Sequence, residues 1–201
     1  MADVQTRRQQ YADATRAALI DAATELFVEQ GFATTTVGDV CQRARVTSGA
    51  LYHHFDNKRD LFRVVFETVL LNTINRATTE SITDEPNWTW VVEGLHAYLS
   101  SYQDLRYRVI IVQEGPSALG WADWREIDHR HSLPPLEGLL TALMDAGVLT
   151  PQPVGLVARV LCAAIAEAAL AIGESDDPQA AQTGAAELLL SLCRGLQARP
   201  D

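Results

Sequence analysis

The chain has 201 residues and a formal net charge of −10, with 16 basic against 26 acidic side chains. Hydrophobic residues make up 47% and charged residues 21%, which are values of a globular protein and exclude a wholly disordered chain. Taken alone, the negative charge argues against a protein that coats nucleic acid by bulk electrostatics.

The acidity is unevenly divided along the chain. Residues 1–60 hold seven basic and eight acidic side chains, so their net charge is −1. Residues 61–201 hold nine basic and eighteen acidic side chains, so their net charge is −9. We therefore expect the nearly neutral N-terminal third and the acidic remainder to have different partners.

Cysteine usage and the apolar segments indicate the compartment. Cys41, Cys162 and Cys193 have neither the number of a disulfide framework nor the spacing of a zinc site, and they fit a reducing cytoplasm. Residues 1–16 are polar and lack the apolar core of a signal peptide. Residues 157–173 are apolar but contain two charges, so we expect them to fall short of a membrane span. The sequence predicts a soluble cytoplasmic protein without a membrane contact.

The N-terminal residues predict a first helix and a short second one. Apolar residues recur at helical spacing over residues 12–30, and Gly31 can adopt the left-handed conformation that ends a helix. Thr36 and Asp39 have the spacing of a capping box, which predicts the start of the second helix.

A turn and two further helices follow. After the turn that contains Arg45, either Thr47 or Ser48 can cap a third helix over residues 49–55. A fourth, longer helix is predicted over residues 57–79.

The rest of the chain is also helical in its periodicity. Residues 82–87 are predicted to form a hinge or domain boundary, and Pro134-Pro135 is expected to interrupt or kink a later helix. No alternating β-branched run is long enough to suggest a sheet, so we predict an all-α fold. Helical periodicity recurs over residues 88–103, 106–113, 121–131, 136–144, 157–173 and 178–196.

Two short helices joined by a tight turn have the layout of a helix-turn-helix. The second of these helices begins with the small residues Thr47, Ser48 and Gly49. They supply hydroxyl groups and leave the backbone N–H groups accessible to a phosphate. One turn further along, Tyr52 and His53 can reach the DNA backbone or a base edge.

Residues 15–62 resemble the N-terminal DNA-binding domain of TetR-family transcriptional regulators. The matching residues are Leu26-Phe27, Gly31-Phe32, Thr36-Val37, Val46-Thr47, Gly49, Leu51-Tyr52, Phe55, Lys58 and Leu61-Phe62. The resemblance implies a three-helix DNA-binding domain over residues 12–62, a connector helix to about residue 79, and a C-terminal bundle over residues 80–198 for dimerisation and ligand binding.

The resemblance also assigns residues to DNA. Arg45 occupies a turn position usually held by glycine, so it must accept or avoid a positive φ at a cost of about 1 kcal/mol, and it could itself contact DNA. Two residues have alternatives, because Thr36 could serve only as a cap and Tyr52 could pack and touch one phosphate instead of reading a base. The candidate DNA-binding residues are Thr36, Arg45, Thr47, Ser48, Gly49, Tyr52, His53 and Lys58.

The last two helices, about residues 154–174 and 178–197, are rich in alanine and glycine with leucine at helical spacing. Small residues let helix axes approach closely, so these helices are predicted to form a four-helix interface between two copies of the chain. The alternative is that they pack internally.

Aromatic residues cluster between residues 88 and 124, which include all four tryptophans. A mostly apolar cavity with a few polar anchors is the usual form of a ligand site. The alternatives are that the aromatic residues fill the core and that the carboxylates form salt bridges to arginines. The candidate ligand-binding residues are Trp88, Leu95, Tyr98, Tyr102, Tyr107, Glu114, Trp121, Trp124 and Glu167.

Catalytic and metal-binding patterns are weak. No nucleophile elbow, phosphate-binding loop or paired-carboxylate arrangement is present, so we predict no enzyme activity and no cofactor. Asp128, His129 and His131 lie together in sequence but lack evident supporting ligands, so no metal site is predicted.

These observations predict a homodimeric repressor that a small molecule releases from a palindromic double-stranded DNA operator. Three alternatives remain at this point. The chain could be a transcriptional activator, a helical small-molecule-binding protein with a degenerate DNA-binding region, or a redox sensor that acts through one of its cysteines.

Overall fold

The computed structural model describes residues 2–81 and 85–198, and the regular elements within these ranges are all helical. A 3₁₀ turn (Ser101–Gln103) and a π-helical segment (Tyr107–Glu114) lie between the fifth and sixth α-helices. The all-α prediction is confirmed, whereas residues 82–84 of the predicted hinge lie outside the described residues. The α-helices are α1 (Ala2–Thr34), α2 (Val37–Ala44), α3 (Ser48–His54), α4 (Lys58–Ser81), α5 (Trp88–Ser100), α6 (Gly115–Leu119), α7 (Trp121–Asp145), α8 (Val154–Glu174) and α9 (Pro178–Arg194).

Helix α1 is longer than the sequence predicts and is kinked near its end. It begins at Ala2 and continues past Gly31, whose φ of 81° and ψ of 164° are outside the helical range. A Cβ atom at Gly31 would also lie only 2.8 Å from Glu114 Oε1. The positive φ favours glycine at the kink, whereas the Glu114 carboxylate is the end of a flexible side chain and could move away from a Cβ atom.

The predicted caps set the geometry of α2 and α3. The Thr36 hydroxyl accepts a hydrogen bond from the Asp39 N–H (3.2 Å), and the Asp39 carboxylate accepts one from the Thr36 N–H (2.9 Å). At the start of α3, the Thr47 hydroxyl accepts from the Ala50 N–H (3.2 Å). Between these helices Arg45 accepts the left-handed conformation, with φ 56° and ψ 41°. A non-glycine residue there costs about 1 kcal/mol.

Helix α7 runs without interruption through Pro134 and Pro135. The two prolines lack backbone donors, which weakens the helix locally. The apolar stripe of the same helix remains buried at Leu133, Leu140 and Leu143. Burial of this stripe stabilises the helix, although the proline pair alone predicts an interruption or a kink.

Helix α4 packs against both halves of the chain. Near its start, the Phe62 ring lies 5.1 Å from the Phe27 ring and 5.0 Å from the Phe32 ring, centroid to centroid. One turn later, Phe66 approaches Gly115 so closely that a Cβ atom there would lie 2.9 Å from its ring, and Trp124 approaches Gly115 to the same distance. The N-terminal helices and the C-terminal bundle therefore share one hydrophobic core.

Helix α8 is longer than the apolar stretch predicted at residues 157–173. By length and composition alone the whole helix could cross a membrane, and the absence of a membrane contact stays a prediction. Only 28% of its most apolar stretch is buried, and Leu156 and Val160 are 62% and 59% exposed. Length and composition are weak evidence for a membrane span, and an exposed apolar face of this kind is also typical of a protein–protein contact.

Candidate DNA interface and effector cavity

The outer face of α3 is solvent-exposed and rests on a buried inner face. Leu51 and Phe55 are buried and fix the helix against the N-terminal core. Because adjacent helical positions point in different directions, burial of Leu51 directs the next side chain outward, and Tyr52 is 56% exposed. The exposed residues of this region include the five sequence-predicted candidates Thr47, Ser48, Gly49, Tyr52 and His53.

Two further candidates border this face. Thr36 is exposed, and its hydroxyl and backbone N–H both donate to Asp39, which lowers the pKa of that carboxyl group. Arg45 is exposed on the turn between α2 and α3. Both residues therefore lie beside the exposed face of α3 without being part of it.

Arg43 connects α2 to α1. Its guanidinium donates to Glu25 (3.0 Å) and to Glu29 (2.7 Å), and this contact lowers the pKa of the Glu29 carboxyl group. The three side chains are largely exposed, so the contact orients the two helices more than it stabilises them.

Lys58, the only lysine of the chain, has partners within the protein. Its ammonium group donates to the carbonyl oxygens of Phe32 (2.7 Å), Ala33 (3.3 Å) and Thr35 (2.8 Å). It also lies 4.4 Å from the centroid of the Phe32 ring. The carbonyls belong to the end of α1 and the residues after it, where a cation is favoured. Lys58 therefore stabilises the fold through these carbonyl groups, and its assignment as a DNA-binding residue stays a prediction.

We predict that Lys58→Met destabilises the protein by about 2 kcal/mol, because carbonyl oxygens lose a charged donor. Chemical denaturation of the full chain measures this loss. Arg45→Met is the matched control, since it removes an exposed cation from the same region and should change stability little. Equal stability of the Lys58 variant and the wild type would contradict the structural role.

Arginines of α4 contact the start of α7. Arg59 donates to the carbonyl oxygens of Ala118 (3.3 Å) and Leu119, and its guanidinium lies 3.1 Å from the Asp123 carboxylate. Arg63 donates to the same carboxylate at 2.7 Å. These contacts tie the N-terminal half of α4 to the C-terminal bundle.

A cavity of about 150 Å³ lies between α4, α5, α7, α8 and α9. Its wall is mainly apolar. It includes Ile74 of α4, Trp90 and Leu95 of α5, Leu139 of α7, Leu161 of α8 and Leu189 of α9. A cavity of this size accommodates a benzene-sized molecule.

The polar part of the cavity wall includes Tyr98, Asp128, Ser132 and Cys162. The Ser132 hydroxyl donates to one oxygen of the Asp128 carboxyl group (2.9 Å), and the Cys162 thiol donates to the other (3.3 Å). Burial raises the pKa of Asp128 and of Cys162 and keeps Tyr98 in its neutral form. The wall therefore disfavours negative charge.

Of the nine predicted ligand-binding residues, Leu95 and Tyr98 line the cavity. The Tyr107 ring packs 6.2 Å from the Tyr98 ring, and burial raises the pKa of Tyr107 to about 12. Tyr102 is buried in the core, with the Arg108 guanidinium 5.8 Å from its ring centroid.

The other five lie elsewhere. Trp88 packs at the edge of the core between α7 and α8, and Trp124 is buried with its indole N–H donating to the Ile111 carbonyl (3.1 Å). Glu114 lies against the Gly31 kink instead of in the cavity. Trp121, 55% exposed, and Glu167 are on the surface.

Sequence reasoning missed the polar residues of the cavity wall. Asp128 lies one turn after the buried Trp124 and one turn before Ser132, so it falls on the inner face of α7. This spacing is the signal that could have identified a buried carboxyl group. Nothing in the sequence indicated Cys162 as its partner, 34 residues away.

The thiols do not have the environment of a redox sensor. Cys41 is buried in the N-terminal core. Burial raises the pKa of both Cys162 and Cys193, whereas a reactive thiol needs a lowered pKa and access to solvent.

Comparisons with known proteins agree with this architecture. Residues 19–65 match the family model for bacterial regulatory proteins of the tetR family, and residues 88–196 match that for the tetracyclin repressor-like C-terminal domain. The crystal structure of a TetR-family transcriptional regulator from Pectobacterium atrosepticum superimposes with a TM-score of 0.84 and 30% identity, over 96% of this chain and 98% of that one.

Two curated relatives were also found. The TetC protein of transposon Tn10 from Escherichia coli is 27% identical over 143 residues, which are 71% of this chain and 72% of the relative. The transcriptional repressor KstR2 from Rhodococcus jostii is 35% identical over 101 residues, 44% of this chain and 48% of the relative, so the match spans about half the length of KstR2. With the matched family models and the exposed helix-turn-helix, these likenesses establish that the chain belongs to the TetR family of transcriptional regulators.

Proposed function

We propose that this regulator is a homodimeric repressor that a small, mainly apolar molecule releases from its operator. The observation that supports the proposal is the exposed face of α3. The opposite face of this helix is buried in the N-terminal core, and the next helix, α4, extends to the cavity. Residues 12–62 then form the DNA-binding domain, α4 is the connector, and residues 80–198 form the effector-binding and dimerisation domain. The protein acts in the cytoplasm, as such regulators normally do.

The operator contacts come from side chains of the α3 face and its border. Tyr52 and His53 extend towards base edges or the DNA backbone, while Thr47, Ser48 and Gly49 allow a close approach to phosphate. Thr36 and Arg45 contact the flanking backbone. Because the body of the chain carries −9, binding depends on a few contacts and has a modest salt dependence.

We predict that Tyr52→Ala lowers operator affinity about tenfold. The operator is selected from random double-stranded DNA by the full-length protein, and affinity is measured by fluorescence anisotropy. Trp121→Ala is the control, because it removes an aromatic side chain of equal exposure, 55% against 56%, from the body of the protein. If no sequence is selected over bulk DNA, or if both variants bind like the wild type, the DNA role of α3 is wrong.

The effector class follows from the cavity wall. A neutral, largely apolar molecule fits a space of about 150 Å³ in which Asp128 and Cys162 resist ionisation. Because Trp90 lines the cavity, binding is measurable as a change in tryptophan fluorescence. An effector found in this way should weaken operator binding by about 5- to 150-fold in the same anisotropy assay.

Dimerisation is proposed through the exposed apolar faces of α8 and α9. Leu156 and Val160 lie one turn apart on α8, and Leu188 and Leu192, which are 61% and 52% exposed, lie one turn apart on α9. Two copies that pair these faces form a four-helix interface and remove the apolar surface from water. A dimer also places two α3 helices on one operator.

We predict that Leu188→Glu together with Leu192→Glu converts the dimer to a monomer, since a buried unpaired carboxylate opposes association. Analytical ultracentrifugation measures the change. Leu105→Glu is the control, because Leu105 is 49% exposed and lies outside both helices. A double variant that remains dimeric would exclude this interface.

A further inference from the structure

Three side chains of types that bind metals lie close together beside the cavity, and two of them form part of its polar wall. Asp128 and His129 come from α7 and Cys162 from α8, and among the described residues their ligand atoms form the one such cluster, all within 4.8 Å of one another. Asp128 and Cys162 are buried and His129 is half-buried. The geometry points to a site for one divalent transition-metal ion of the zinc class, held by the Asp128 carboxylate, the His129 imidazole and the Cys162 thiolate.

The spacing of the donor atoms is close to what one ion requires. Around a tetrahedral zinc ion with ordinary bond lengths, neighbouring donor atoms are about 3.3–3.6 Å apart. The Cys162 sulfur and the nearer Asp128 oxygen are already 3.3 Å apart. The His129 ligand atom lies within 4.8 Å of both, about 1 Å beyond the spacing that one ion requires.

The donor types select the class of ion. A thiolate and an imidazole suit zinc, cobalt and cadmium, whereas magnesium and calcium prefer an all-oxygen shell. Without an ion, burial keeps the Cys162 thiol protonated. The positive charge of a bound ion offsets this, so the thiol loses its proton to solvent on binding and the sulfur–metal bond replaces the hydrogen bond to Asp128.

Ser132 supports the carboxylate as a metal ligand. Its hydroxyl donates to one oxygen of Asp128 at 2.9 Å, which leaves the other oxygen facing the Cys162 sulfur. Such outer hydrogen bonds orient metal-ligating carboxylates. His131 is not part of the cluster. Its imidazole lies near a different group, 3.9 Å from the Glu67 carboxylate.

Three protein ligands leave one coordination position for water or for a donor atom of a molecule in the cavity. Asp128 and Cys162 both line the cavity, so a bound ion would be part of its wall. The metal site does not depend on operator binding, and it is measured without DNA.

The test is metal titration of the full-length protein after removal of metals with a chelator. Cobalt should give the near-ultraviolet absorption of a thiolate–cobalt bond with one ion per chain, and zinc should displace it while magnesium does not. Cys162→Ser, Asp128→Asn and His129→Gln should each lower zinc affinity by 10- to 100-fold in calorimetric titration.

Cys193→Ser is the matched control, because Cys193 lines the same cavity but lies outside the cluster. It should keep the wild-type affinity and the cobalt spectrum. His129→Gln changes a half-buried side chain, so it keeps the test decisive if a variant of the buried residues fails to fold. The proposal is overturned if zinc does not bind, if His129→Gln leaves its affinity unchanged, or if Cys193→Ser weakens binding as much as Cys162→Ser.

Discussion

The architecture depends on the packing of one helix, α4, against three different surroundings. Its first turns place Phe62 among the aromatic rings of the N-terminal domain, and Phe66 then packs on Gly115 beside Trp124. Further along, Ile74 lines the cavity. Packed side chains shift between discrete arrangements and do not deform continuously. A shift of α4 at the cavity therefore also moves its other end, which packs against the DNA-binding helices. We therefore propose that α4, a rigid helix within the shared core, is the physical basis for coupling an effector to DNA.

Several basic residues of the N-terminal third contact groups within the protein and are therefore less available to bind DNA. Among the residues that the structure describes, at least four of the seven cations in this region have partners within the protein: Lys58 contacts carbonyl oxygens, Arg43 two glutamates, Arg59 α6 and α7, and Arg16 the Phe55 ring. Few cations remain for phosphate, and the body of the chain is strongly acidic. We therefore propose that operator recognition relies on the shape and side chains of α3 more than on general attraction to DNA.

The sequence was most informative where structure is local. The capping box at Thr36, the cap at Thr47 and the turn at Arg45 each involve residues a few positions apart, so the helix-turn-helix could be predicted with its boundaries. The cavity could not, because its wall combines five helices and joins Asp128 to Cys162 across 34 residues. Clustered tryptophans suggested a pocket, but Trp124 fills the core and Trp121 lies on the surface. Bulky aromatic side chains are as suited to closing a core as to lining a cavity.

We propose that occupancy of the cavity changes the affinity of the DNA-binding helix α3 for the operator. Ala166→Phe tests it most directly, because Ala166 lines the cavity and an added ring occupies the space of a benzene-sized effector. Ala122→Phe, at an exposed position of α7, is the control. We expect the first variant to change operator affinity by about 5- to 150-fold and the second to leave it unchanged. Unchanged operator affinity in Ala166→Phe, with a crystal structure that shows the ring inside the cavity, would contradict the account.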